Sequence, residues 1–223
     1  MSFGSFVGIL FIYYIGYKIG NTIYKTPLIN FVTAVSLACL FYKYSFSISF
    51  FLFAFFVYSL ISVSVVDYFH RIIPTVFPIL MLIFGIFFSI FNVSLGDNIF
   101  FRFLHSLFGV FVGAGSLFII SFLGDLIYKK EVIGFGDVKL MAGVGAFIGC
   151  QKVLFAIFIA AVLAGIVGFI LILIGKITRK DYIPFGPFLS AGSFLMIFLP
   201  QPSVLLDIFF LFETQLFAKL LGA

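Results

Sequence analysis

Residues 50–74 read FFLFAFFVYSLISVSVVDYFHRIIP. From Phe50 to Val66 no residue carries a charge, and the first ionisable group, Asp67, closes the run. Such a segment suits hydrocarbon, where a helix satisfies its own backbone polar groups. The same texture extends in both directions. Of 223 residues, 64% are apolar and 9% charged, with a mean hydropathy of +1.32. A soluble domain carries about 25% charged residues. A helical span takes about 20 apolar residues, which leaves no room for a large soluble domain. The expected fold is an all-α, polytopic integral membrane bundle of about eight transmembrane spans, with residues 1–223 forming one membrane-embedded domain.

The spans are expected over 3–24, 28–42, 46–66, 74–95, 100–127, 137–150, 152–175 and 184–200. A last apolar segment, 203–221, contains Asp207 and Glu213 and reads as a ninth span or an interfacial helix. Met1 to Phe6 hold no basic residue, so the first segment is expected to be retained rather than cleaved as a signal. The segments 28–42 and 137–150 are short and are expected to sit shallow or beside protein. No internal repeat is evident. Cys39 and Cys150 lack Cys-x-x-Cys spacing and read as small apolar fillers.

Lys18, Lys25, Arg71, Lys129, Lys130, Lys139, Lys176, Arg179 and Lys180 fall on one side of this topology; Lys43, Arg102 and Lys152 fall on the other. The richer side is expected to be cytoplasmic. The net charge of +5 is then a matter of orientation and implies no nucleic-acid partner. Asp67, Asp137 and Asp181 lie on the cytoplasmic side; Asn92, Asp97 and Asn98 lie outside.

Ionisable groups at the edge of a span are costly and point to function. Asp67 opens Asp67-Tyr68-Phe69-His70-Arg71-Ile72-Ile73-Pro74, where Pro74 is expected to start the next span. Asp137 lies in Gly134-Phe135-Gly136-Asp137-Val138-Lys139-Leu140, after two glycines that leave room for another chain. Gly143, Gly145 and Gly149 follow on the same helix and let neighbours approach closely. Taken singly, each aspartate could be a helix end: Asp67 paired with Arg71, Asp137 an N-cap. Taken together they are two carboxylates at one membrane depth, on one face, at the ends of different spans. Close carboxylates share a proton. The ionised one can take a proton from water while the neutral one hydrogen-bonds a scissile carbonyl, as in aspartic proteases.

The chain resembles the bacterial type IV prepilin peptidases. Asp67 followed by Ile73 and Pro74 is similar to that family's first motif. Gly134, Gly136, Asp137, Lys139 and Leu140 are similar to its Gly-x-Gly-Asp-x-Lys-Leu motif. Ile183-Pro184-Phe185-Gly186-Pro187-Phe188 is similar to a third signature. The resemblance covers about 28–195. It implies an aspartic endopeptidase that removes the short basic leader from prepilins or pseudopilins, serving a type IV pilus or type II secretion system, at the cytoplasmic face of the inner membrane. Asp67 and Asp137 would be catalytic. Gly134, Phe135, Gly136, Lys139, Pro184, Phe185, Gly186 and Pro187 would shape the site or bind substrate. The peptidase step implies no metal and no cofactor.

The chain departs from many members in lacking the insert with two Cys-x-x-Cys pairs between the first two spans. Asn30-Phe31 replaces their Glu-Leu, and Thr75 follows Pro74. The missing insert weighs against N-methylation with S-adenosylmethionine. His70 reads as interfacial and His105 as a bundle histidine without metal-ligating neighbours. Asp125, Glu131 and Asp181 are candidate contacts for a basic leader. The competing class is a proton- or cation-coupled transporter, which would show inverted repeats and midplane broken helices. A presenilin-like protease would carry Tyr-Asp and Pro-Ala-Leu, where this chain has Val66-Asp67 and Pro184-Phe185-Gly186-Pro187.

Overall fold

The computed structural model describes residues 27–96, 98–129, 134–178 and 183–199. They form six α-helices: α1 (Pro27–Tyr44), α2 (Ile48–His70), α3 (Val76–Phe88), α4 (Ile99–Tyr128), α5 (Phe135–Leu173) and α6 (Gly186–Phe198). Two 3₁₀ turns, Ser89–Phe91 and Val93–Leu95, join α3 to α4. No strand occurs among the described residues.

The helix boundaries have local causes. Ser47 caps α2 by accepting the Phe50 N–H at 3.3 Å. Arg71 ends that helix in the left-handed conformation, its N–H bonded to the Asp67 carbonyl at 2.8 Å. Asn98 caps α4 through the Phe100 N–H, and Lys129 closes it as Arg71 closes α2. Basic residues at both closures complement the negative helix end.

Three helices are long and apolar enough to cross a membrane: Ile48–His70, Ile99–Ile127 and Phe135–Leu173. The expectation of about eight spans is not met among the described residues. Helices α3 and α6 have 13 residues each, about 20 Å of helix against the roughly 30 Å of a hydrocarbon core. The expected span 74–95 stops as an α-helix at Phe88, and its remainder turns through the 3₁₀ segments. The expected spans 3–24 and 203–221 lie outside the described residues, as do Lys18, Lys25, Asp97, Lys130, Glu131, Arg179, Lys180, Asp181, Asp207 and Glu213.

Helix α5 is two helices in one. Gly149, at φ 80° and ψ 173°, breaks it where the sequence predicts separate segments 137–150 and 152–175. The first half runs from the Asp137 end towards Leu95 and His105; the second returns antiparallel to α6. Lys152 meets Leu199, Gly192 packs on Ala156, and Gly168 lies beside Ile183. The break frees carbonyls of the turn before it. Ser106 Oγ donates to the Ala146 carbonyl and Asn92 Nδ2 to the Phe147 carbonyl, both at 2.8 Å.

The first half of α5 is the axis of the bundle. Every residue from Leu140 to Gly149 is buried, so Met141, Val144 and Phe147 are enclosed on all sides. Lipid tails give packed helices little hydrophobic advantage over separated ones, so close approach by small residues carries the association. Gly109 of α4 lies against the Gly145 backbone, Gly113 against the Met141 carbonyl, and Gly143 against Met81 and Pro78 of α3. The outer faces are apolar instead: Phe111, Phe118, Phe122, Phe158 and Phe169 are exposed, as suits a lipid-facing surface. With these spans and surfaces, the chain is a membrane protein.

Candidate active site

Asp67 lies in the last turn of α2, three residues before the helix ends, rather than beyond the span. It is only 3% exposed. Its Oδ2 accepts the Gly186 N–H at 2.9 Å, across 119 positions of sequence. Gly186 is the first residue of α6, so Asp67 satisfies one of the orphan amides at that helix start. Its space is tight. A Cβ on Gly186 would lie 2.6 Å from Asp67 Oδ2 and 3.1 Å from Asp67 Cβ.

Asp137 is 5% exposed. The sequence allowed it as an N-cap, but Gly134 takes that position and the helix starts at Phe135. Asp137 stands three residues inside and accepts the Gly134 N–H, in the manner of the inner residue of a capping box. Its Oδ1 is enclosed and has no hydrogen-bond partner among the described residues. Asp137 lies within electrostatic reach of Asp67.

The two aspartates are held together from three directions. Ile73, in the segment after α2, packs on Gly136; a Cβ there would come within 2.9 Å of Ile73 Cβ. Gly186 brings α6 onto Asp67. Close packing of α3 on α5 through Gly143 sets the depth of the Asp137 helix. Phe185 is the N-cap of α6 and packs against the core, and Pro187 sits in its first turn. Pro184 is half-buried just before it.

Not every expected residue joins the pair. The Lys139 ammonium lies 5.1 Å from the centre of the Phe135 ring, one turn back on its own helix. His70 is exposed at the end of α2. His105 does have a neighbour of ligand type that sequence spacing hid: Cys150 Sγ is 3.8 Å from its Nδ1. The pair lines a cavity of about 240 Å³ beside Gly149, at the far end of α5 from Asp137. Cys39 faces outward rather than filling the core. Two contributors escaped the sequence reading. Ile73 appears there as part of a motif, with no sign that it would touch Gly136. Ser190, one turn along α6 from Gly186, has a buried hydroxyl without a partner among the described residues.

The model of the Type IV leader peptidase family matches residues 53–169, which contain both aspartates. A prepilin leader peptidase/N-methyltransferase of Burkholderia pseudomallei is 39% identical over 95 residues, covering 42% of this chain and 31% of the relative. One from Pseudomonas aeruginosa is 30% identical over 142 residues, covering 63% of this chain and 46% of the relative. Leader peptidase HopD of Salmonella typhimurium is 36% identical over 91 residues, covering 40% and 59%. The chain thus spans less than two thirds of the length of each. No solved structure matches it. With the match covering more than half of its residues, the chain belongs to the type IV leader peptidase family.

Proposed function

We propose that the chain is a membrane aspartic endopeptidase. Its substrates would be prepilins or pseudopilins, and it would remove their basic leader at the cytoplasmic face of a bacterial inner membrane. Asp67 and Asp137 are its catalytic pair. One observation carries this reading: two buried carboxyl groups from different helices stand within electrostatic reach of each other. Two such groups hold one proton between them and can activate a water while polarising a carbonyl. Gly136 and Gly186 let Ile73 and Asp67 approach the helix starts where a side chain would not fit. The names of the relatives support leader cleavage. N-methylation with S-adenosylmethionine is not part of the proposal. The shorter helices α1, α3 and α6 are taken as further membrane segments, α3 and α6 packed against α5.

The test is cleavage of a prepilin with a basic leader by the purified chain in lipid. Wild type is expected to release a shortened product. Asp67→Asn and Asp137→Asn should each lower the rate roughly a thousandfold or more, with unchanged thermal unfolding. A folded wild type that cleaves no leader, or a variant that keeps its rate, overturns the assignment.

A further inference from the structure

The two carboxyl groups of the pair stand in different surroundings. Asp67 Oδ2 is bound by the Gly186 N–H, and neither Asp67 oxygen is both enclosed and unpartnered. Asp137 accepts the Gly134 N–H, yet its Oδ1 is sealed from solvent with no partner among the described residues. A carboxylate spreads its charge over both oxygens. At Asp137 half of that charge would face nothing polar, and an uncompensated buried charge costs far more than a buried neutral hydroxyl.

Helix dipoles pull the other way, since Asp137 lies in the first turn of α5 and Asp67 in the last turn of α2. Dipole contributions are small beside the desolvation of an unpartnered charge. At Asp67 the start of α6 also offsets the end of α2. We propose that Asp137 carries the shared proton on Oδ1, that Asp67 carries the charge, and that Gly186 is the positioning residue that sets this division. Only glycine fits there: a Cβ would meet three atoms of Asp67 within 3.1 Å.

The chemical roles follow, resting on the peptidase reading above. Asp67 takes a proton from water, and the water oxygen bonds to the scissile carbonyl carbon. Asp137 Oδ1–H gives its proton to the carbonyl oxygen, which leaves a neutral gem-diol. The C–N bond then breaks. Asp67 passes its new proton to the leaving nitrogen, and one diol hydroxyl returns a proton to Asp137. One water is consumed, and both carboxyl groups return to their starting states.

The division of charge can be tested without substrate. Wild type, Asp67→Glu and Asp137→Glu are prepared with ¹³C in the aspartate side-chain carboxyl and compared by infrared spectroscopy at neutral pH. Wild type should show a protonated-carboxyl band that shifts with the isotope. The band should lose its isotope shift in Asp137→Glu and keep it in Asp67→Glu. The reverse pattern, a band indifferent to both substitutions, or no such band in wild type overturns the proposal. For Gly186, glycolic acid at position 186 turns the amide into an ester and removes the N–H without adding a side chain. The rate constant kcat should fall at least about tenfold, with KM within about twofold. An unchanged kcat removes Gly186 from the mechanism. A wild type that cleaves no leader sinks the peptidase reading instead and leaves the infrared result standing.

Discussion

A methyl group on Gly136 would meet Ile73 Cβ at 2.9 Å. Ile73 cannot turn that atom away, because a Cβ is fixed by its backbone. The segment after α2 and the start of α5 would therefore have to part. Gly136→Ala is expected to cost about 1–3 kcal/mol of stability and to lower cleavage more than the loss of folded protein explains. Thermal unfolding in detergent, run beside the cleavage assay, checks both. Equal losses in the two would mean that Gly136 serves packing alone. Residue identity announced much of this site. Asp67 and Asp137 stood out because so few charged residues interrupt the apolar runs, and Gly134 and Gly136 because they flank one of them. The partners were not legible. Nothing in the spacing says that Gly186 will bind a carboxylate 119 positions earlier, or that Ile73 will fill the place of a side chain at Gly136. These contacts follow from how α2, α5 and α6 pack, and helix periodicity carries no record of that.

At the scale of elements, the break in α5 decides the architecture. Gly149 occupies a backbone region that residues with a Cβ almost never adopt, and holding another residue there costs about 1–3 kcal/mol. A Cβ there would also press on Leu95 at 3.0 Å. Gly149→Ala should lower the unfolding temperature, while the fraction that stays folded cleaves normally, because Asp137 sits at the other end of the half-helix. Loss of cleavage by fully folded protein would instead tie the break to the site. The expected segments 137–150 and 152–175 placed this break within a residue or two. Sequence missed the end of α3, where apolar character continues past Phe88. Asn92 holds the turn after α3 by donating to the Phe147 carbonyl, an interaction that depends on the break in α5 and is invisible in a local window.

For the whole molecule, the basic residues separate by role as well as by side. Lys43 and Lys152 converge on the end of α6, donating to the carbonyls of Ile197 and Leu199. Arg102 donates to the carbonyls of Gly96 and Ile90. All three belong to the poorer side of the charge count, and all three are engaged with backbone there. Arg71, Lys129 and Lys176, on the aspartate side, are exposed. The count of nine basic residues against three favours the aspartates facing the cytoplasm. Single cysteines test this in a chain whose Cys39 and Cys150 are replaced. Val93→Cys, at an exposed position on the far side, should react with a membrane-impermeant maleimide in intact cells. Lys176→Cys should react only after the membrane is opened. The opposite pattern would turn the chain over in the membrane and place the aspartates away from any leader still in the cytoplasm; the leader-cleaving reading would fall with the orientation, even though the geometry of the pair would be untouched.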